Sequence, residues 1–580
     1  MTLLCVPIFV VEPAQALADA REARDRGADL VEFRIDSFFH GDGFDKEEGQ
    51  TREILTLVAQ SPIPCIVTCR PVLEGGHYDG PDDARIALFE RLGTASGKGE
   101  VPPRYIDCEL ATYTRSANIK QKINLAVDHA GQQRNVSTSL ILSSHDFHTR
   151  PADLFRQLDR MHAQTASRVV KIAFRARSVR DNLELLDILA DVKAHGGKPT
   201  IALAMGPFGL LSRVLAPKFD GFLTFATLRA SSATAPGQPT LADLLSLYRF
   251  RSITSTTAVY GVVGYPVEHS LSPHVHNAGF EAVGHDGVYI PLPVPPEFEH
   301  FKASVLDLVE HPHLDLRGLS VTIPHKEHLV RLATELYDEG DGRWHIEPFA
   351  RACGAANTLT VTRDAKGNAT KLSVTNTDAP AAMRMLRDAL KTDSLRGMDV
   401  LLLGVGGTAR ALSFALIEAG ATVAILNRTH AKAEALAAEL PVLASGKPAA
   451  RAVKVEELAA PRGTASLRAV INATPVGMSS GSSPLVSPLA EPIVRNLPPG
   501  CVVADCVYSP LATPLLKHAA ASGLKTIDGL SLFVRQAGEQ FELWTQRAAP
   551  QQLFEMTARE ILAARESQPP PPLPPSPASP

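Results

Sequence analysis

The stretch Asp399-Val-Leu-Leu-Leu-Gly-Val-Gly-Gly-Thr-Ala-Arg-Ala411 constrains the chain more than any other. Residues 400–403 and 405 are apolar and read as a buried parallel strand. Gly404, Gly406 and Ala409 then match the G-x-G-x-x-G/A turn that opens a dinucleotide-binding crossover. Gly404 permits the tight turn, and Gly406 lets the backbone approach a pyrophosphate. Ala409 lets the following helix pack close and aim its first N–H groups at the phosphates. Gly407 and Thr408 complete the turn. A helical run at 412–417 ends before Gly420, and a second strand follows at 422–426. Where NAD enzymes place an acid for the ribose 2′-OH, this chain has Asn427-Arg428-Thr429, Asn427 lying 23 residues past Gly404. Arg428 can stack on adenine and meet a 2′-phosphate, which points to NADP.

At 580 residues the chain is expected to hold about three to four domains. A net charge of −4 offers no field for nucleic acid or an anionic membrane, and no apolar run approaches the ~18 residues of a membrane span. An apolar, strand-like run starts at Leu3, so no leader peptide is expected ahead of it. The seven cysteines are scattered, which favours a reducing compartment and no zinc site. We therefore expect a cytoplasmic protein (plastid only if a transit peptide has been trimmed), without membrane or nucleic-acid partners, monomeric or weakly oligomeric.

In the first 230 or so residues, apolar strands alternate with helical patterns at 3–10, 29–36, 64–70, 104–110, 139–147, 168–174, 199–205 and 221–228. Eight such units in this length predict a (β/α)8 barrel rather than an open sheet. A helix at 241–248 would close it. Polar residues gather at the carboxyl ends of these strands, where barrels carry their chemistry. Glu32, Arg34 and Asp36 alternate with apolar residues and share one face, so they point into the lumen, with Glu32 a candidate to orient Arg34. Lys171 lies between Val169 and Ala173 on one face of the sixth strand. Such apolar neighbours favour a free, nucleophilic amine. His145 ends the adjacent fifth strand and is a candidate base. Arg70 and Glu74 follow strand three, Arg213 follows strand seven, and Gln238 follows strand eight. Arg34, Arg70 and Arg213 could clamp an anionic, polyhydroxylated substrate.

The motifs EFRID, CRPVLEGG, SSHDF, VKIA, MGPFGLLSR and APGQ resemble those of type I 3-dehydroquinate dehydratases. The resemblance implies that Lys171 forms an imine with substrate, that His145 shuttles the proton and that Glu74 tunes or orients His145. It implies substrate contacts from Glu32, Arg34, Arg70, Arg213 and Gln238. Thr234 stands where a Ser is common and keeps the hydroxyl.

Residues 252–257 read as a linker, after which a second α/β unit begins at Val259. Ser270 and Ser272 are spaced to meet a polyol, and Ser272 followed by Pro273 also reads as a helix N-cap. Lys326 and Asp378 each follow a strand, at the level where ligands enter open α/β sheets, and could act as an acid/base pair at a carbonyl. Asn357 lies between them in sequence.

From about residue 259 to 564, the motifs GYPVEHSLSPHVHN, SVTIPHK, GAANTL, NTD, GVGGTAR, NRT, NATPVGM and DCVYSPLATPLL resemble shikimate dehydrogenases. The resemblance implies that Lys326 and Asp378 are catalytic and that Ser270, Ser272, Thr322, Asn357, Tyr508 and Gln536 hold shikimate. It assigns NADP to Gly404, Gly406, Gly407, Thr408, Ala409, Asn427, Arg428 and Thr429, with Thr474, Pro475 and Met478 near the nicotinamide. Ala381, Ser531-Leu532 and Gln546 depart from common family residues.

Together the two halves resemble the bifunctional dehydroquinate dehydratase/shikimate dehydrogenases. The implied organisation is a barrel at 1–250, a linker at 251–258, a substrate domain at 259–380 and 531–565, a Rossmann NADP domain at 381–530 and a disordered Pro-rich tail at 566–580. Two alternatives are a quinate dehydrogenase and a catalytically inactive metabolite sensor. Ser270, Ser272 and the Asn427-Arg428-Thr429 loop oppose the first. The presence of Lys171, His145, Lys326 and Asp378 opposes the second.

Overall fold

The computed structural model describes residues 1–39, 47–129, 138–229, 237–442, 448–479, 481 and 483–566. The chain divides into two compact units, Met1–Ala258 with His313–Asp315, and Val259–Pro312 with Leu316–Pro580. The Pro-rich tail and Thr234 lie outside the described residues.

The first unit is built on β1 (Leu3–Phe9), β2 (Leu30–Arg34), β3 (Cys65–Thr68), β4 (Tyr105–Glu109), β5 (Ser139–Asp146), β6 (Ser167–Arg175), β7 (Thr200–Met205) and β8 (Leu223–Phe225). The sheet order is β7-β6-β5-β4-β3-β2-β1-β8, all pairs parallel. Phe222 N–H donates to Thr200 O at 2.9 Å where β8 meets β7, so the sheet is a nearly closed barrel. Helices such as Asp181–His195, which ends on left-handed Gly196, connect the strands. The expected helix is present and is wound as a π-helix at Asp243–Leu247, Tyr248 N–H bonding Asp243 O.

Strand parity decides what fills the lumen. Leu30, Ile66, Tyr105, Ile141, Val169, Ile201 and Phe225 form one buried apolar cluster with Cys5, Leu203 and Leu223. Two residues further along the same strands stand Glu32, Thr68, Asp107, Ser143 and Lys171, all buried. An apolar floor thus carries a charged layer. Each fully buried floor side chain stabilises the barrel by about 1.5–3 kcal/mol.

The second unit holds two sheets. The first comprises β9 (Ala258–Gly264), β10 (Gly287–Pro293), β11 (Leu316–Val321), β12 (Trp344–Ile346), β13 (Thr358–Arg363) and β14 (Ala369–Thr375), in the order β10-β9-β11-β13-β14-β12. The β13–β14 hairpin makes it mixed. Its helices include α1 (Ser272–Ala282), α2 (Lys326–Asp338) and α3 (Asp378–Leu390). The second sheet comprises β15 (Asp399–Leu403), β16 (Thr422–Leu426), β17 (Ala450–Ala452), β18 (Leu467–Asn472), β19 (Val502–Asp505) and β20 (Lys525–Ile527). Its order β17-β16-β15-β18-β19-β20, with parallel pairs throughout, is that of a Rossmann sheet. The helix α4 (Gly407–Glu418) follows β15.

Two last helices, α5 (Gly529–Thr545) and α6 (Gln551–Glu566), return to the first of these sheets. Asp528 caps α5 by accepting from Ser531 N–H, a contact worth about 1 kcal/mol. Gln540 Nε2 donates to Asn357 O and Thr358 Oγ1, and Trp544 Nε1 donates to Leu359 O. A Cβ at Gly279 in α1 would meet Phe554 of α6 at 2.6 Å, so the close helix contact requires glycine there. Among the described residues, no helix is long and apolar enough to cross a membrane.

Candidate functional site

The barrel lumen holds a chain of charges. Lys171 Nζ lies 3.0 Å from Asp107 Oδ2 and 3.6 Å from Glu32 Oε1, and 4.6 Å from the centre of the Phe225 ring. Its strand neighbours are apolar as expected, but its tip faces two carboxylates. Asp107 also accepts from Arg70 Nη2 at 2.8 Å and from Ser143 Oγ at 2.6 Å. Burial by itself would raise the Asp107 carboxyl; Arg70 and then Lys171 outweigh it and hold the group below the usual carboxylate range. Arg70 Nη1 donates to Glu109 and Ser143, and Glu109 in turn accepts from Arg85 at 2.6 Å. The terminal nitrogens of Arg70 are thus engaged within the barrel. What it offers a ligand is its charge.

Glu32 does not pair with Arg34, correcting the expectation from their shared face. Arg34 donates twice to Asp36, at 2.9 and 3.0 Å, while Glu32 accepts from Thr68 Oγ1 at 2.7 Å. The strand ends at Arg34, so the chain turns and brings Asp36 back onto the guanidinium.

His145 Nδ1 and Glu74 Oε2 are 3.2 Å apart. Burial, followed by repulsion from Arg70 and Lys171, pushes His145 well below its usual pKa. Burial, followed by Glu109, pushes the Glu74 carboxyl up to about 8. A neutral imidazole therefore faces the lumen at neutral pH. Glu74 reaches it because the chain folds back after β3: Gly75 is left-handed at φ 75°, and a Cβ at Gly76 would collide with Arg70 O.

Arg213 sits on the short helix Leu210–Val214 after β7 and is only 3% exposed. No hydrogen bond or ion pair holds it among the described residues, and its Nε is buried without a partner. Burial lowers its guanidinium to about 10. Gln238 is half-buried beside Gly237, whose absent Cβ leaves room for Gly206 O.

In the second unit, Lys326 and Asp378 are the first residues of α2 and α3, and not strand-end residues as expected, since β11 ends at Val321 and β14 at Thr375. Lys326 Nζ donates to Asp378 Oδ2 and, at 2.8 Å, to Thr408 Oγ1. Asn357 Nδ2 reaches Asp378 Oδ1 and Thr377 Oγ1 at 2.9 Å and Gln536 Oε1 at 3.2 Å. Four of the predicted residues therefore form one contiguous cluster, and Thr408 ties it to the glycine turn. Thr322 is half-buried, as is Tyr508, whose ring lies 5.1 Å from Phe533.

Ser272 is not the N-cap of α1. It is the first helical residue, Leu271 occupies the cap, and Ser270 Oγ accepts from Ser272 N–H at 3.2 Å. Tyr289, Ser320 and Gln540 form a buried hydrogen-bonded chain below, which sequence reading missed.

Gly404 is left-handed at φ 108°, and a Cβ there would press Thr474 at 2.9 Å. A Cβ at Gly407 would press Lys326 Cβ at 2.8 Å, whereas one at Gly406 would meet nothing within 4 Å. The turn is thus packed behind and open in front, with the N-terminus of α4 facing the opening. A turn of this shape at a helix N-terminus can accept a pyrophosphate. Ala409 is fully buried. Asn427 Nδ2 donates to Thr429 O at 2.9 Å, leaving Arg428 exposed. Thr474 Oγ1 is held by Asn472 at 2.7 Å, with Pro475 exposed and Met478 half-buried nearby. No group of His, Cys, Asp and Glu among the described residues could hold a metal ion.

Sequence reading missed Asp107 and Glu109. The signal was present, since Tyr105, Asp107 and Glu109 alternate with Ile106 and Cys108 just as the charges of β2 do.

Residues 4–255 match the family model for type I 3-dehydroquinase. Residues 262–359 match that for the shikimate dehydrogenase substrate binding domain, and 387–460 that for shikimate / quinate 5-dehydrogenase. The chain is 33% identical to a bifunctional 3-dehydroquinate dehydratase/shikimate dehydrogenase, chloroplastic, of Arabidopsis thaliana, over 95% of this chain and 83% of that one. It is 40% identical to a shikimate dehydrogenase (NADP(+)) of Methanocella arvoryzae, over 52% of this chain and 99% of that one. A shikimate dehydrogenase (NADP(+)) of an Anaeromyxobacter species is 41% identical over 52% of this chain and 96% of its own.

Proposed function

The chain belongs to the bifunctional 3-dehydroquinate dehydratase/shikimate dehydrogenases, and from that membership we propose how its residues divide two consecutive reactions. It dehydrates 3-dehydroquinate to 3-dehydroshikimate, then reduces that product to shikimate, on the route to aromatic amino acids. We assign the first step to residues 1–250. The second falls to a substrate domain at 259–380 and 531–565 and a nucleotide domain at 381–530, joined to the barrel by 251–258.

In the barrel, Lys171 passes its excess proton to Glu32, the carboxylate at 3.6 Å, while Asp107 at 3.0 Å stays ionised. The free amine adds to the substrate ketone and loses water to form an imine. The imine draws electrons from the adjacent C–H bond, and neutral His145 accepts the C2 proton. The resulting electron pair expels the C1 hydroxyl, which leaves as water with the proton His145 returns. Hydrolysis of the imine releases product and restores Lys171. Glu74 orients His145. Arg34, Arg213, Thr234 and Gln238 hold the anionic, hydroxylated substrate, and Arg70 adds positive charge.

In the second unit, Lys326 and Asp378 supply the proton that the carbonyl oxygen takes up on reduction. Asn357 holds Asp378, and Ser270, Ser272, Thr322, Tyr508 and Gln536 line the substrate crevice. NADPH, when bound, supplies the hydride. Gly404, Gly406, Gly407, Thr408 and Ala409 would cradle its pyrophosphate, Asn427, Arg428 and Thr429 its adenosine phosphate, and Thr474, Pro475 and Met478 its nicotinamide end. Arg428, exposed and unpartnered among the described residues, supports NADP over NAD.

The observation that carries this assignment is that Lys171 and His145 face one lumen from adjacent strands while Lys326 and Asp378 close on each other beside the glycine turn. The test is an assay of the purified chain with 3-dehydroquinate and NADPH alone. NADPH consumption with shikimate as product is expected. Product stopping at 3-dehydroshikimate, or no turnover, would overturn it.

A further inference from the structure

Arg565 lies on the last turn of α6, and its Nη1 donates to His269 O at 2.8 Å, one residue ahead of Ser270. Tyr508 lies near the backbone of Leu271 and close enough to Arg565 to interact electrostatically. The half-buried guanidinium therefore stands where the Ser270 loop and Tyr508 meet. No carboxylate among the described residues pairs with it. Glu268, which precedes His269 in sequence, accepts from Val267 N–H at 3.0 Å. Arg559 on the same helix contrasts with it, being paired to Glu555 at 2.8 Å and exposed. A partly desolvated cation without a counter-ion is a receptor for an anion.

The substrate assigned to this crevice carries one anion. Its reacting carbonyl must meet Lys326, beside which Asp378 repels a second carboxylate. The acid group, elsewhere on the ring, must therefore lie against another part of the wall. We propose that Arg565 binds the substrate carboxylate together with Ser270 and Tyr508, and so sets the enzyme's requirement for an acidic substrate. This rests on the crevice assignment made above.

The experiment compares shikimate with its uncharged methyl ester, each oxidised by the full-length chain with NADP. KM is read, or the inhibition constant where the ester does not turn over. In Arg565→Gln, the value for shikimate is expected to rise about ten- to hundredfold, as for loss of one charge-assisted contact. The ester's value, kcat and the KM for NADP are expected to hold, so the preference for the acid collapses, and Arg565→Lys is expected to restore part of it. Equal loss for acid and ester would make Arg565 only a staple of α6 to His269 and overturn the proposal, as would no change. Ser270→Ala separates the two levels. If it raises KM for shikimate while Arg565→Gln does not, the carboxylate role fails and the crevice stands. If neither variant matters, the crevice assignment fails with it. Dehydratase activity of the same preparations reports that the chain is intact.

Discussion

Lys171 Nζ stands 3.0 Å from Asp107 Oδ2, across the lumen from β6 to β4, and the same carboxylate is held by Arg70 and Ser143. Lys171 is therefore embedded in a network whose other members keep Asp107 ionised. Lys171→Met keeps the apolar stem and removes the amine. It is expected to abolish dehydratase activity and borohydride trapping of the substrate on the Lys171 peptide. NADPH-dependent reduction of supplied 3-dehydroshikimate is expected to persist. A trapped adduct on another residue, or surviving dehydratase activity, would remove the imine role.

Among the described residues Arg213 is buried without a partner, which costs the substrate-free barrel stability. Arg213→Met is expected to raise the stability of the substrate-free barrel by roughly 1–3 kcal/mol. The same variant is expected to raise KM for 3-dehydroquinate at least tenfold. Thermal unfolding with and without substrate checks both. A variant less stable than wild type would mean that Arg213 has a structural partner.

Glu74 binds its proton up to about pH 8 in the folded barrel, against an ordinary value of 4.5. Its contribution to stability is full below about pH 4.5 and is lost as the pH rises through about 8. Glu74→Gln, which mimics the neutral acid, is expected to remove this loss. The melting temperature of the variant minus that of wild type should therefore climb between those limits. A flat difference across that window would show that Glu74 is not held neutral.

Lys326→Ala is expected to cut turnover for 3-dehydroshikimate reduction by about 10²–10⁴ with little change in KM. Asp378→Asn keeps the bond to Asn357 but removes the charge facing Lys326, and is expected to alter the pH profile of kcat. Near wild-type turnover in Lys326→Ala would make the pair structural.

Arg428 is exposed beyond β16, with Asn427 turned back onto Thr429. Arg428→Ala is expected to raise KM for NADPH by about ten- to hundredfold and to leave NADH little changed. Equal loss with both cofactors would reassign the residue to shape rather than charge.

Local pattern alone determined much of this molecule. Period-two alternation placed Glu32 and Arg34, and Val169, Lys171 and Ala173, each on one strand face, because successive side chains of a strand point oppositely. The Gly404-x-Gly406 turn was legible because its backbone conformation is one that few other residues adopt. Its order of strand, turn, helix and strand then determined a Rossmann half. Which charges meet was decided only by the tertiary structure. Asp107 reaches Lys171 across 64 residues of sequence, Thr408 reaches Lys326 across 82, and Arg565 reaches His269 across 296. Strand parity says that Glu32 and Arg34 share a face, but the turn after β2 makes Asp36 the partner of Arg34 and leaves Glu32 for Lys171. Pairing of this kind depends on barrel register and helix return, which arise from packing over the whole chain and leave no mark in any one segment.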